Sequence, residues 1–288
     1  MFRSMVIAAM ADSGKCDLPR FPRTCAKVVV CAKFPQMSFA SLHEKRIVVT
    51  GSSSGIGRAI AVECAAAGSD IVISCRASRP KAEIVADEIR RAGRKADVLV
   101  ADIADDNSRS EFVSRCFETG RVDAVVNNAG ADLLTGALRD APFSVKLKTL
   151  LDVDVCGTVE LSRAFGQRFL KQGHGSILTI GWDQSDRGME GDSGELFSTA
   201  KIAIMGFTRS LSLSLAPTVR VNCIAPGWIK TDWGESASDY WQQRVLNETP
   251  LKRWGLPQDV AAMARFLLSD EASYITGQVL NVNGGAVR

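Results

Sequence analysis

The sequence predicts an α/β protein in which one doubly wound parallel sheet of about seven strands is flanked by helices on both faces. Short β-branched apolar segments alternate with longer helical segments from Arg46 to the C-terminus. A glycine-rich turn joins the first of these strands to the first helix. Such alternation is typical of parallel βαβ units with right-handed crossovers, which bind ligands at the carboxyl ends of their strands.

The elements are predicted in order from apolar patterning. The first strand, residues 47–50, is β-branched and ends abruptly at Gly51. The other strands are predicted at residues 70–75, 96–100, 122–127, 176–180, 219–224 and 278–282. Helical periodicity predicts helices at about residues 59–67, 80–92, 107–118, 143–170, 196–215 and 257–268. The segment at about 228–250 is expected to form a loop over the substrate.

The alternating pattern defines a single domain, residues 41–288. Residues 1–40 show no sustained periodicity, and prolines separate their short apolar patches. We interpret them as a disordered extension, or as the result of a start codon placed too early, with Met37 as the true first residue. An organellar transit peptide is the alternative, because the segment is basic and poor in acids. No apolar run in the chain reaches the length of a bilayer span.

Composition and charge argue against several classes of function. The hydrophobic fraction of 46% and charged fraction of 23% are those of an ordinary globular protein. The net charge of +3 is too small to indicate a nucleic-acid or membrane partner. The eight cysteines form no Cys-x-x-Cys pair, and the chain has only two histidines, so no metal site is expected. Free thiols in apolar patterns suit a reducing compartment, and we expect a cytoplasmic protein.

The turn after the first strand has the chemistry of a phosphate cradle. It reads Thr50-Gly51-Ser-Ser-Ser-Gly55-Ile56-Gly57 and leads directly into a helical pattern. Glycines let backbone N–H groups approach a pyrophosphate and let the helix pack closely on the strand. The helix then directs its unpaired N–H groups and its positive dipole end at the anion. A turn that merely connects strand and helix is the alternative interpretation.

Four motifs together resemble the short-chain dehydrogenase/reductase family. They are Thr-Gly-x-x-x-Gly-x-Gly at 50–57, Asn-Asn-Ala-Gly at 127–130, Pro-Gly-x-Ile-x-Thr at 226–231 and Asn-Gly-Gly at 283–285. Their order and spacing cover the chain from Arg46 to the C-terminus. The resemblance implies a Rossmann-type sheet, a nicotinamide dinucleotide cofactor and redox chemistry on a carbonyl/alcohol pair. In overall style the sequence is most similar to 3-oxoacyl carrier-protein reductases. The family pairs the long helices after strands 4 and 5 between subunits, which implies a homodimer or homotetramer.

The resemblance also assigns a cofactor site. A carboxylate after the second strand would select NAD, but this chain has Arg76 there, which matches the arginine of NADP-binding members. NADP(H) is therefore the preferred cofactor and NAD(H) stays possible; a solvated surface charge is the other interpretation of Arg76. The residues that match the family's cofactor site are Gly51, Ser53, Gly55, Ile56, Gly57, Arg76, Asp102, Asn128, Ala129, Gly130, Lys201, Pro226, Gly227, Ile229 and Thr231.

The catalytic positions depart from the family pattern. The family uses Asn, Ser, Tyr and Lys, with Tyr as general acid/base. Here the Tyr-x-x-x-Lys motif has Phe197 before Lys201, the serine position is Trp182 and the asparagine position is Asp154. Only Lys201 matches, and neither tyrosine of the chain begins a Tyr-x-x-x-Lys motif.

Three groups are candidates for the missing proton donor. Asp183 is the best placed acid of a strongly acidic loop and could act if burial kept its pKa high. Tyr240 could reach the site from the substrate loop, and Lys201 could donate directly. Asp154 is expected to pair with Lys201 or with a helix end. Solvated surface and ordinary packing are the alternatives for the acids and for Tyr240.

The aromatic residues at the serine and tyrosine positions would make the pocket apolar and narrow. This favours a small-molecule substrate that is apolar or carries an acyl group. We interpret the chain as an NADP(H)-dependent oxidoreductase with a displaced proton donor. The alternative is a homologue that binds the cofactor without turnover, as a sensor or a partner subunit.

Overall fold

In a computed structural model we describe residues 39–288. All seven strands are parallel and form one sheet in the order β3-β2-β1-β4-β5-β6-β7. The direction of winding changes between β1 and β4, so the carboxyl ends of these two strands border the crevice in which such sheets bind ligands. The predicted doubly wound sheet is therefore confirmed. The strands are β1 (Arg46–Val49), β2 (Asp70–Cys75), β3 (Ala96–Val100), β4 (Ala124–Asn127), β5 (Gly175–Ile180), β6 (Val219–Pro226) and β7 (Val279–Val282).

The helices cover both faces of the sheet. No helix among residues 39–288 is long and apolar enough to cross a membrane. The helices are α1 (Gly55–Ala66), α2 (Arg79–Arg91), α3 (Asp106–Glu118), α4 (Phe143–Leu150), α5 (Thr158–Gln172), α6 (Asp192–Leu215), α7 (Asp232–Ser236), α8 (Asp239–Glu248) and α9 (Pro257–Leu268).

The core has two layers, one on each side of the sheet. Ile47 and Val49 of β1 pack in the layer under α1, α2 and α9, whereas Val48 packs in the layer under α3, α5 and α6. This alternation follows from the two-residue period of a strand. Because helices cover both faces of the sheet, the central strands carry buried apolar residues on both faces, such as Ile47, Val48 and Val49 in β1, and these appear as short continuous apolar runs in the sequence.

The described fold begins slightly before the expected boundary at residue 41. Ala40 is buried, and the Phe39 ring stacks on Phe266 with centroids 5.9 Å apart. The Arg265 guanidinium donates to the carbonyl oxygens of Phe39 and Ala40, each at 2.9 Å. The remainder of the predicted extension, with Met37, lies outside the described residues.

The helix predicted at 143–170 is not one regular α-helix. A π-helical segment, Leu151–Gly157, separates α4 from α5. A Cβ on Gly157 would lie 2.9 Å from the carbonyl oxygen of Ile103, so the helix can approach the loop after β3 this closely only with glycine here. The wider turn carries Asp154, and such bulges are frequent at functional sites.

The segment expected to be a substrate loop contains two helices, α7 and α8. We call residues 228–250 the covering segment. Its three tryptophans cluster with Trp254, which follows the segment: the centroid of the Trp228 ring lies 6.3 Å from that of Trp233, 5.5 Å from that of Trp241 and 6.4 Å from that of Trp254. Burial of these rings stabilises two short helices that apolar periodicity did not reveal. Helix α6 also begins earlier than predicted, at Asp192.

Candidate active site

The turn between β1 and α1 can be built only with glycine at two positions. Gly51 has φ +62°, and a Cβ there would lie 2.8 Å from the Cα of Ala129. A Cβ on Gly57 would lie 2.3 Å from the carbonyl oxygen of Gly51. Helix α1 begins at Gly55, and its N-cap residue, Ser54, makes no side-chain cap. The first-turn N–H groups therefore have no side-chain acceptor and suit an anion.

Hydrogen bonds tie this turn to the end of β4. The hydroxyl oxygen of Thr50 accepts from the backbone N–H groups of Asn128 and Ala129, both at 3.0 Å. The Asn128 amide donates to the carbonyl oxygens of Thr50 at 3.0 Å and Gly51 at 3.1 Å. These contacts bring together the two motifs that the sequence assigned to the cofactor.

A cleft of about 500 Å³ runs from this turn across the ends of β2 and β3. Arg76 is exposed, follows the last residue of β2 and lines the cleft. Asp102 lines it after β3, where its carboxylate accepts the Ala104 N–H at 3.0 Å. The predicted cofactor residues that line this cleft are Gly51, Ser53, Arg76, Asp102, Asn128, Ala129 and Gly130.

A second cavity, of about 520 Å³, lies on the other side of the β4 loop. Asn128, Gly130, Ala131 and Asp132 line both spaces, so the two adjoin. The structure thus brings the two halves of the predicted site together around one loop. The predicted residues that line the second cavity are Ile56, Asn128, Gly130, Asp154, Lys201, Pro226, Gly227, Ile229 and Thr231.

Lys201 and Asp154 form an ion pair in the second cavity. The Lys201 Nζ lies 2.9 Å from Asp154 Oδ2, and the two side chains are only 15% and 2% exposed. The other oxygen, Oδ1, accepts the backbone N–H of Ala131 at 2.8 Å. A Cβ on Gly130 would lie 2.9 Å from Asp154 Oδ2, so the glycine leaves room for the carboxylate. Of the two expected partners of Asp154, the structure shows Lys201.

Aromatic rings occupy the positions where the family resemblance expects hydroxyl groups. Phe197 stands one turn before Lys201 on α6, and Trp182 follows β5. Their ring centroids are 6.3 Å apart with an interplanar angle of 71°, and both rings line the second cavity. Neither group can donate a proton to a carbonyl oxygen in the way a tyrosine does.

The structure does not bring Asp183 or Tyr240 to the lining of this cavity. Asp183 is 1% exposed, and its Oδ2 accepts from the Asn283 amide at 3.0 Å, while Oδ1 has no partner among the described residues. Burial outweighs these hydrogen bonds and raises the pKa of Asp183 to about 6. Tyr240 is 64% exposed, and its ring packs on Trp241 with centroids 5.5 Å apart.

Sequence reasoning did not single out Asp132, Ser193 or Trp241, which also line the cavity. Asp132 holds a turn, since one carboxylate oxygen accepts the N–H groups of Leu134 at 2.9 Å and Thr135 at 3.0 Å. Partial burial alone would raise its pKa, but these bonds and one from the Thr135 hydroxyl lower it. A signal was available for Trp241, because three tryptophans within fourteen positions (228, 233 and 241) are unusual in a chain with five.

Comparison with known proteins agrees with this geometry. A family model described as enoyl-(acyl carrier protein) reductase matches residues 51–287. The 3-oxoacyl-[acyl-carrier-protein] reductase FabG of Aquifex aeolicus is 37% identical over 252 residues, which cover 85% of this chain and 98% of that protein. FabG of Escherichia coli K12 is also 37% identical, over 84% of this chain and 96% of its own length.

Solved structures show the same fold. A 7α-hydroxysteroid dehydrogenase in complex with NADH and 7-oxoglycochenodeoxycholic acid is 33% identical, with a TM-score of 0.78 over 86% of this chain and 96% of that one. A short-chain dehydrogenase of Burkholderia cenocepacia J2315 in complex with NADP is 32% identical, with a TM-score of 0.77 over 85% of this chain and 98% of that one. The chain belongs to the short-chain dehydrogenase/reductase family of NAD(P)-dependent oxidoreductases.

Proposed function

We propose that this chain is an NADP(H)-dependent oxidoreductase that interconverts a carbonyl compound and its alcohol. The observation that carries the proposal is the junction of the two spaces. A cleft with the features of a dinucleotide site adjoins a cavity that contains one half-buried ammonium group, Lys201. The FabG relatives are reductases by name, and the Burkholderia structure contains NADP.

The residues of the cleft fit such a cofactor. Gly51 and Gly57 occupy positions that a Cβ would block, and the uncapped start of α1 is suited to the pyrophosphate. Arg76 would hold a 2′-phosphate, which makes NADP(H) the preferred cofactor; the NADH of the steroid dehydrogenase keeps NAD(H) as the second choice. Ile229 and Thr231, which line the second cavity, would hold the carboxamide of the nicotinamide.

When bound, NADPH supplies a hydride to the carbonyl carbon. The oxygen of the substrate then needs a proton, and we assign this role to Lys201. As the carbon accepts hydride, a proton passes from Nζ to the oxygen, and solvent afterwards reprotonates the amine. Asp154 holds Nζ in place through the 2.9 Å contact. Asp183 is the second candidate donor, because its pKa of about 6 keeps part of it protonated near neutral pH, but its carboxyl does not line the cavity.

Loss of the tyrosine need not abolish turnover. A positioned general acid contributes about 10²–10⁴-fold to the rate, which is roughly 3–5 kcal/mol of barrier. Placement of the carbonyl beside the cofactor contributes independently of the acid. Lys201 also supplies positive charge where negative charge develops on the oxygen, in a cavity with an apolar wall.

A second candidate function is cofactor binding without turnover. Phe197 and Trp182 favour it, because both replace groups that would contact the substrate oxygen. The cofactor cleft fits either function, so cofactor binding cannot separate them. The two functions can be separated by measuring whether the wild-type protein turns over and whether that turnover depends on Lys201.

The test combines cofactor titration with a panel of ketones. NADPH binding, followed by nicotinamide fluorescence, is expected for the wild type and for Lys201→Arg, since both carry the cation. Arginine cannot release a proton at ordinary pH, so Lys201→Arg is expected to lower kcat by about 10²-fold or more. Equal turnover in the two proteins would contradict the role given to Lys201. Binding without NADPH oxidation on any ketone, unchanged in Phe197→Tyr with Trp182→Ser, would favour the second function.

We further propose a cytoplasmic homodimer or homotetramer. The helices α4, α5 and α6, together with the π-helical segment between α4 and α5, expose apolar side chains that a second copy would cover. Cys64, Cys75, Cys116, Cys156 and Cys223 are all free thiols, which suits a reducing compartment. Light scattering during size-exclusion chromatography tests the assembly, and a monomer would contradict it. The exposed side chains are Phe143, Val145, Leu151, Leu170, Ile202 and Leu213.

A further inference from the structure

The substrate cavity has an aromatic wall that the cofactor does not require. Trp182 and Phe197 form one part of it, and Trp228, Trp233 and Trp241 of the covering segment form another. The Trp233 and Trp241 rings meet edge to face, with centroids 5.8 Å apart and an interplanar angle of 68°. Aromatic pairs of this kind contribute beyond their buried area, and a flat ring in the ligand can join them.

The wall is held in place before a ligand arrives. Arg244 of α8 donates to Glu190, in the loop after β5, at 2.6 and 3.2 Å. It also donates to Glu248 at 2.6 Å, and Glu248 accepts the Trp228 indole N–H at 3.2 Å. Ion pairs therefore hold the covering segment against the loop after β5. Because the aromatic wall is already formed, a ligand can bind to it at a low entropic cost.

The charged side chains that line the cavity are few, and each is already ion-paired or hydrogen-bonded. Lys201 and Asp154 bind each other, and the Asn128 amide donates to the turn after β1. Asp132 keeps its negative charge, because hydrogen bonds lower its pKa. The cavity therefore offers a fixed carboxylate at the β4 loop and, among the described residues of its lining, no uncommitted cationic side chain.

The segments that border the cavity are acidic, although the whole chain carries a net charge of +3. Residues 183–195 and 228–248 contain nine acidic and three basic side chains. Of the three basic ones, Arg244 is paired with Glu190 and Glu248, Arg187 donates to the carbonyl oxygen of Ala286, and Lys230 is exposed, which leaves a net charge of −6 on these segments. Like charges that line a cleft reduce the local concentration of an anionic ligand.

From these observations we propose that the cavity selects an uncharged, ring-containing ketone or secondary alcohol and rejects anionic acyl thioesters. The proposal rests on the oxidoreductase function and names its substrate class. The FabG relatives act, by name, on acyl groups attached to a carrier protein, so the aromatic wall and acidic border mark a difference from them. Rings stack on the wall, and the border repels phosphate or carboxylate groups.

Intrinsic fluorescence provides a direct test, because four of the five tryptophans line the cavity. The probes are 2-acetylnaphthalene, its 6-carboxylate, a straight-chain methyl ketone with the same number of carbons, and acetoacetyl-CoA. Each is titrated into the full chain with and without NADP⁺. The neutral naphthyl ketone is expected to bind about tenfold more tightly than each of the others, a difference of about 1.4 kcal/mol. Tighter binding of the carboxylate or of acetoacetyl-CoA would overturn the proposal.

The variant Trp182→Leu tests whether the aromatic wall causes the preference for a ring. Phe197 is the one aromatic ring among the described residues that Trp182 contacts, so this substitution disturbs less packing than a change at Trp241. The variant is expected to lose affinity for the naphthyl ketone and to keep its affinity for the straight-chain ketone. Unchanged preference for the ring would overturn the role of the wall.

Two matched double variants test whether the acidic border causes the preference for an uncharged ligand. Asp192→Lys with Asp232→Lys reverses two exposed charges beside the lining residues Ser193 and Trp233. Glu44→Lys with Glu118→Lys makes the same change near the opposite edge of the sheet. Only the first pair is expected to improve binding of the carboxylate, and an equal effect of the second would contradict the proposal. Failure of the oxidoreductase function would appear differently, as ketone binding without NADPH oxidation.

Discussion

Replacement of Asp183 by asparagine should remove a cost that the folded protein bears at neutral pH. The carboxyl is buried, and its pKa is raised from 3.8 to about 6. One pKa unit corresponds to 1.36 kcal/mol, so ionisation of the folded state costs about 3 kcal/mol. A raised pKa means that the folded state binds the proton more tightly than the unfolded state. This stabilisation is complete below about pH 4 and is lost as the pH rises through 6.

The asparagine introduced by this substitution does not titrate, and its side-chain oxygen can still accept from the Asn283 amide. The free energy of unfolding of Asp183→Asn, minus that of the wild type, should therefore rise by about 2.4 kcal/mol between pH 4 and pH 7. In a protein of this size, each kcal/mol shifts Tm by about 2–4 °C. Urea unfolding followed by circular dichroism at a series of pH values measures the difference.

Asp186→Asn is the control, because Asp186 is less buried and lies in the same short turn as Asp183. A difference curve for Asp183→Asn that is as flat as that of the control would refute the reasoning. The same variant, Asp183→Asn, also tests whether Asp183 donates the proton in ketone reduction. Because Asp183 does not line the cavity, ketone reduction should persist in it. Loss of reduction in a stable variant would instead assign the proton to Asp183.

The remaining predictions concern the cofactor cleft and one helix. Arg76→Ala should weaken NADPH binding by about 10–100-fold, the worth of a charge-assisted hydrogen bond, and leave NADH binding unchanged; equal losses would contradict a role for Arg76 with the 2′-phosphate. Gly57→Ala should abolish binding of both cofactors, because its Cβ would lie 2.3 Å from the carbonyl oxygen of Gly51. Gly206→Ala is the matched control: apart from the neighbouring backbone of α6, no atom of the described residues lies within 4 Å of its added Cβ, and the substitution should stabilise the protein by about 0.5–1 kcal/mol in thermal unfolding.

The glycine turn of the proposed cofactor cleft was predictable because its requirements are local. A strand, a turn that only glycine permits and an uncapped helix start follow one another within a few residues. The pairing of Lys201 with Asp154 was among the expected contacts, although its geometry depends on the π-helical segment. No periodicity in the sequence marks that segment. It occurs where Gly157 closely approaches the loop after β3.

The rest of the site depends on contacts between distant parts of the chain. Asp183 turns to Asn283, one hundred residues later, and is thereby withdrawn from the lining of the cavity. Tyr240 lies on a helix that the sequence pattern did not reveal, and the packing of Trp241 against Trp228 sets its outward position. Neither orientation can be inferred from the residues that flank these positions.

The contact between Asp154 and Lys201 also restricts how this chain can change. Loss of the carboxylate alone would strand an ammonium group that is mostly withdrawn from water, and loss of the amine alone would strand the carboxylate. Either single substitution is costly, so substitutions at the two positions are expected to be coupled in their effect on stability. A change at position 154 to the asparagine of the family pattern, with no other change near residue 201, is therefore expected to lower the free energy of unfolding of this chain.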